Sequence, residues 1–377
     1  MKAPAVRALA CVTTALFGAV TPAHAQNLLV KGGRVWTETG EALEKADVLV
    51  ADGKIAAIGA DLTAPDGTRV LDAAGKWVLP GFIDARSHLG LARGELDETV
   101  TPLATDTEVL DALWAEREEV RRATPSGVTS LLLSPGDANP IAGPCAVVKL
   151  GHHTILKRDA TLNIVLSASA LIYDRRPTSM PGLLDMVRQA LSGARDKPVG
   201  DGALVKVVRG EMPVTMTCDG ISDVERAVQL AAEFHARASI VTREALDELV
   251  DVLPGTGVSA ICPPLGATPA ERFLRAPGRL AAKGVKLAFS SMAPTTDECD
   301  LRTSAALAAA AGLPHDAALR ALTCDAAGIL GVGDRVGSLQ TGKDADLVIV
   351  AGDPLDIAAP IECVIIDGDI AYQREGT

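Results

Sequence analysis

Beyond its first two dozen residues the chain has no apolar run long enough to cross a bilayer, which takes about 20 consecutive apolar residues. It is also sparing with residues that hold soft metals: six histidines and seven cysteines in 377 residues, with no C-x-x-C pair. The wide cysteine spacing indicates neither a zinc knuckle nor a disulfide framework, and most of the cysteines read as small buried hydrophobes. Basic residues are outnumbered, 36 Lys and Arg against 48 Asp and Glu, for a net charge of −12. General electrostatics therefore offers no grip on nucleic acid or anionic lipid, and neither partner is expected. No Gly-x-Ser-x-Gly stretch is present, and no Ser-His-Asp arrangement stands out.

Residues 1–25 read as a secretory signal peptide. Lys2 and Arg7 supply a basic start, 8–20 an apolar stretch, and Ala23-His24-Ala25 an A-x-A-like cleavage site. A cleaved, exported protein is expected, periplasmic or secreted, where disulfides are permitted.

The remainder has two textures. Short strands with turn residues between them fill 27–79, including apolar runs on either side of Asp52-Gly53, a strong hairpin signal. The same texture returns in 335–377, around Gly352-Asp353-Pro354 and Asp367-Gly368. Two such ends around one long middle predict a small β-sandwich domain built from both. The middle, 80–334, alternates β-branched runs (128–134, 204–208, 214–218, 238–241, 258–261, 285–290) with helical stretches (109–123, 183–194, 222–235, 244–253, 269–283, 301–311). Strand-helix alternation means a parallel sheet, and about eight strands would close a TIM-like (β/α)8 barrel. The expected fold class is therefore α/β, a barrel plus a composite β domain. The runs at 204–208 and 214–218 lie too close together for a crossover helix, which leaves a hairpin or a strand outside the barrel.

One run carries the most chemistry: Val78-Leu79-Pro80-Gly81-Phe82-Ile83-Asp84-Ala85-Arg86-Ser87-His88. It resembles the amidohydrolase-superfamily signature, an apolar strand leading into Pro-Gly-x-Ile-Asp-x-His-x-His. Further stretches carry the resemblance over most of the chain, closest to the imidazolonepropionase-like branch: Gly127-Val128-Thr129-Ser130, Asn139-Pro140-Ile141, Arg176-Pro177-Thr178-Ser179 and the return Gly337-Ser338-Leu339-Gln340-Thr341-Gly342-Lys343-Asp344-Ala345-Asp346-Leu347. The resemblance implies a barrel whose mouth holds a metal, usually zinc. That metal activates water against a carbon–nitrogen bond, with a carboxylate moving the proton.

The ligand positions that the resemblance implies are not filled. Histidines i and i+2 on a strand point the same way and can share one cation. Here Arg86 stands at the first position and only His88 remains. A guanidinium stays protonated and has no lone pair to give. Thr217 (with Asp219), Thr242 and Met292 stand where the family has a strand-five histidine, a strand-six histidine and the catalytic aspartate. The family zinc is expected to be lost. If a metal binds, His88 is the one inherited ligand, with Cys218 and Cys262, also at expected strand ends, as alternatives. The plainer reading packs both cysteines and leaves Asp219 to cap the next helix. The pair His152-His153 is poor for chelation, because adjacent strand residues face opposite ways. Lys206, expected on a strand, reads as an ion-pair residue. Arg86, His88 and Asp219 form the expected ligand pocket. The buried guanidinium needs a partner, for which Asp219 or Glu244 is the candidate, Asp84 being aimed into the core.

Two functions follow. The first is a non-catalytic or impaired amidohydrolase-fold protein that binds a small molecule at the barrel mouth or joins an intact amidohydrolase paralogue as a hetero-oligomer. The alternative is an active hydrolase of non-peptide carbon–nitrogen bonds with a rebuilt metal site or a metal-independent mechanism.

Overall fold

The structure is a computed structural model that describes residues 27–38, 42–114, 118–151, 154–242, 244–266, 270–297 and 299–375. The expected signal segment and His152-His153 lie outside the described residues.

The two chain ends share one hydrogen-bonded sheet. Its strands are β1 (Leu28–Trp36), β2 (Ala42–Ala51), β3 (Lys54–Gly59), β4 (Arg69–Asp72) and β5 (Trp77–Pro80) from the first end, with β14 (Leu347–Val350), β15 (Ile361–Ile366) and β16 (Asp369–Gln373) from the second. The order is β16-β15-β14-β5-β1-β2-β3, with β4 beside β1. The ends meet where β5 and β14 run antiparallel, Leu79 opposite Val348. Both Asx-Gly turns are left-handed at each central residue, Asp52 and Gly53 at φ 51° and 73°, Asp367 and Gly368 at 51° and 82°, which is the hairpin geometry glycine favours. A Cβ on Gly53 would sit 2.9 Å from the Asp367 carbonyl oxygen, so the two turns are packed against each other. Leu28, Val48, Ile55, Val78, Leu347 and Ile365 build the core of this sheet.

Gly81 carries the chain from this sheet into the barrel. A side chain there would collide with Thr129, which explains the glycine after Pro80. The second sheet contains β6 (Phe82–Ser87), β7 (Val128–Leu133), β8 (Ile141–Lys149), β9 (Ile155–Leu166), β10 (Val214–Cys218), β11 (Ala238–Thr242), β12 (Ser259–Cys262) and β13 (Leu287–Phe289), in that spatial order. Adjacent strands are parallel except at β8, which is antiparallel to both β7 and β9. The barrel is thus mixed, where eight parallel strands were expected. A β7-β8-β9 meander with no helices occupies the place of two strand-helix units.

The barrel is nearly closed by contacts between β6 and the segment after β13. Ser290 Oγ donates to the Arg86 carbonyl (2.6 Å), and His88 N–H donates to Ala293 O (2.8 Å). The wholly buried Asp84 accepts from Ser291 Oγ (2.5 Å), Ser291 N (3.1 Å) and Arg86 N (3.0 Å). Its aim into the core, anticipated above, is this clasp.

The helices are α1 (Glu118–Ala123), α2 (Met180–Asp196), α3 (Ala203–Val208), α4 (Ile221–Phe234), α5 (Leu249–Val252), α6 (Glu271–Ala282), α7 (Cys299–Ala310), α8 (His315–Leu322) and α9 (Cys324–Leu330). Strand and helix alternate as expected from β10 onward. The expected strand at 204–208 is the helix α3. Its buried residues Ala203, Val205 and Val207 alternate with half-buried ones, so the period imitates a strand. Lys206 there pairs with Asp159 on β9 at 2.6 Å, the ion-pair role read for it. The expected helix at 109–123 is a 3-10 turn at Val109–Ala112 and the short α1. Inside the barrel, Ile83, Leu132, Val241, Ile261 and Ala288 form one core with Ala326, Ala327 and Leu330 of α9.

Candidate ligand site at the barrel mouth

Strand alternation sorts the candidate residues into two groups. On β10, Val214, Met216 and Cys218 face the helical layer, while Thr215 and Thr217 face the interior. On β12, Cys262 likewise packs outward and Ile261 inward. Burial pushes the Cys262 thiol up to about 12; burial, with Asp223 and Asp219 nearby, also raises Cys218. Neither cysteine is aimed at the mouth, so the alternative set His88, Cys218, Cys262 does not converge. Thr242 shares the outward parity of β11. Its hydroxyl donates to the Asp219 carbonyl (3.0 Å) and accepts from Ala245 N, which ties two loops together. Met292, at φ 54°, joins the interior apolar core.

Arg86 is the centre of the site. Its side chain is wholly buried. Nη1 donates to Thr217 Oγ1 (2.5 Å) and Nη2 to Asp137 Oδ1 (2.6 Å). The same Asp137 oxygen accepts from Thr217 Oγ1 (3.2 Å) and Asn163 Nδ2 (3.4 Å). Burial works to raise the Asp137 carboxyl. The Arg86 charge and hydrogen bond, with His88 and Asn163, outweigh it and hold the group below the usual carboxylate range. His88 Nδ1 lies 2.8 Å from the Ser134 carbonyl oxygen, a contact only a protonated Nδ1 can make.

The partner of Arg86 is therefore Asp137, and neither Asp219 nor Glu244. Asp219 lies past the end of β10 and accepts from Ala168 N (3.3 Å); α4 is capped instead by Asp223, which accepts from Gly220 N. Glu244 is exposed. Sequence reasoning missed Asp137 because it lies in a loop with no periodicity. Its position just past the end of β7, where barrels place site residues, is the signal that could have found it.

The loop around Asp137 is pinned on both sides. Gly136 N donates to Leu96 O (2.8 Å), Ala138 N to Asp97 Oδ1 (2.9 Å), and Arg175 Nη2 to Ala138 O (2.7 Å). Burial, with the Asp137 charge adding to it, raises the Asp97 carboxyl above its ordinary value. Arg86 Nε, Arg175 Nε and Nη1, Asn139 Oδ1 and Asn163 Oδ1 are buried without a hydrogen-bond partner in the protein.

This donor set does not fit zinc. Arginine and threonine replace imidazoles, one histidine is present, and a fixed positive charge fills the space a cation would take. Among the described residues no group of three or more His, Cys, Asp and Glu is arranged to hold a metal ion.

A mixed barrel with polar residues gathered at its strand ends, joined to a sheet from both chain ends, defines a class. Residues 211–372 match the model of the amidohydrolase family. The structure resembles an amidohydrolase from Thermotoga maritima MSB8 with a TM-score of 0.82 and 27% identity, covering 92% of this chain and 100% of that one. "Amidohydrolase tasK" of Hapsidospora irregularis is 26% identical over 400 residues, covering 86% of this chain and 40% of that protein. Dihydropyrimidinase of Rattus norvegicus is 48% identical over 68 residues, 17% of this chain and 13% of that protein. The chain thus spans two fifths or less of the length of these two curated relatives. The family model, this solved structure and these relatives together support placing the chain in the amidohydrolase superfamily.

Proposed function

We propose that this is an amidohydrolase-superfamily protein that binds a small molecule at the barrel mouth and does not hydrolyse it through a metal-bound water. The observation that carries the reading is the Arg86 guanidinium, buried at the strand ends and 2.6 Å from Asp137. A permanent cation there neutralises the acceptors a metal would otherwise neutralise, and it cannot generate a hydroxide nucleophile. The site keeps a few convergent polar groups, the kind that fix a small ligand's orientation. The secretory character of 1–25 supports an exported, periplasmic or secreted setting, and an intact paralogue would then supply the hydrolytic step in a shared assembly.

The test is turnover. N-acyl amino acids and cyclic amides are incubated with the purified chain, with added zinc and with a chelator. No zinc-dependent turnover is expected. Hydrolysis that the chelator abolishes would support the alternative of a working hydrolase with a rebuilt site.

A further inference from the structure

We propose that Arg86 recognises the carboxylate of a small ligand, and that Asp137 is a tethered carboxylate which this ligand displaces. The inference rests on the reading above, that the mouth serves binding.

A guanidinium presents two parallel N–H groups along its Nε–Nη2 edge and matches both oxygens of one carboxylate. In this protein the match is incomplete. Nη2 reaches Asp137 Oδ1, while Nε is buried and has no partner. Asp137 spends that single oxygen on Arg86, Thr217 and Asn163 together. Its side chain remains one-fifth exposed. A free carboxylate is not bound by the reach of a pinned loop and can use both oxygens. It would satisfy Nε and Nη2 at once, which the internal carboxylate does not.

The route to that exchange is short. Gly136 and Ala138 hold the backbone on either side of Asp137, so rotation of one side chain uncovers the guanidinium while the loop stays in place. A second cation stands beside the loop: Arg175 grips Ala138 O and has Nε and Nη1 unpaired. Its hydrogen bond to Ala138 O holds the loop backbone in place during that rotation. Asn163 adds a further demand on the ligand. Its Nδ2 faces Asp137 Oδ1, and its Oδ1 is a buried acceptor without a donor. An N–H close to the ligand's carboxylate would answer it. The chemistry recognised is thus a carboxylate with a neighbouring N–H donor.

The probe is N-acetylglycine, with N-acetylglycinamide as the uncharged control, titrated calorimetrically into the full chain in a buffer free of carboxylates. The acid is expected to saturate the protein and the amide to give no heat of binding. Asp137→Asn removes the competing charge and should tighten the acid by about tenfold. Arg86→Lys keeps the charge but loses the fork, and should weaken it by at least about tenfold. Circular dichroism confirms that each variant is folded. The proposal is overturned if acid and amide bind alike, if Asp137→Asn binds no tighter than the parent, or if neither protein saturates at tens of millimolar acid. Failure here with no zinc-dependent turnover removes the carboxylate site alone; zinc-dependent turnover removes the reading beneath it.

Discussion

Replacing Lys149 by methionine tests how the barrel is fastened to the terminal sheet. Lys149 ends β8 opposite Ser130, near the start of β7, and its side chain is wholly buried. Its ammonium meets Asp344 at 2.7 Å, Asp346 at 3.1 Å and Asp367, all three from the C-terminal segment. Arg335 and Lys54 also pair with Asp344. Three cations thus face three carboxylates, and methionine leaves two cations against three. Asp344 keeps both of its other partners, and Asp367 is about a quarter exposed and stays open to solvent. The loss falls on Asp346, whose side chain is 3% exposed. Removing one partner of a buried pair costs about 3–5 kcal/mol, and that is the expected loss at pH 8. The loss should shrink at pH 5. Burial raises the Asp346 carboxyl to about 6 even with Lys149 opposing it, and removal of the lysine raises it further. A proton on Asp346 then relieves the uncompensated charge. Urea denaturation followed by tryptophan fluorescence, with Trp36 and Trp77 in the terminal sheet as reporters, measures both numbers. A loss below about 1 kcal/mol at pH 8, or one equally large at pH 5, would refute the argument.

The same carboxyl predicts a pH slope in the parent protein. A carboxyl raised in the folded state binds its proton more tightly there than when unfolded, so stability contributed by Asp346 declines as pH rises from about 4 to about 6; Asp346→Asn should flatten the denaturation profile in that window. Asp344 and Asp137 are lowered, so their contributions are held above about pH 4 and vanish on acidification below it, outside the window that Asp346 governs. Asp84→Ala strands the buried donors of Ser291 and Arg86 that close the barrel, and should cost at least about 3 kcal/mol in the same assay. Cys262, with its thiol at about 12 and its packing against the helical layer, should resist alkylation in the folded chain and react only in denaturant; fast native labelling counted by mass spectrometry would contradict this burial.

Much of the architecture was readable because it follows from period and turn chemistry. Asp52-Gly53 and Asp367-Gly368 mark hairpins that the structure contains, and the strand-helix rhythm from Val214 onward is obeyed. The meander of β8 and β9 escaped because Gly143 and Pro144 interrupt an apolar run, and β8 is an internal strand where proline argues against a strand. Helix α3 was misread because three buried residues at odd positions look like one face of a strand. At the site, Arg86, Thr217 and His88 were legible from the family motif, and alternation would have turned Cys218 and Cys262 away from the mouth. Asp137 and Arg175 were not legible. Their positions depend on how two loops are pinned, Gly136 to Leu96 and Arg175 to Ala138, and no local pattern encodes such long-range contacts.

The central claim, that a guanidinium–carboxylate pair stands where the superfamily's ligand pattern would put a metal, is tested most directly by metal stoichiometry. The chain is purified, equilibrated with zinc, dialysed against a weak chelator and measured by inductively coupled plasma mass spectrometry. The account predicts zinc far below one equivalent per chain. One retained equivalent in the parent protein, lost on substitution of His88 by alanine, would contradict it.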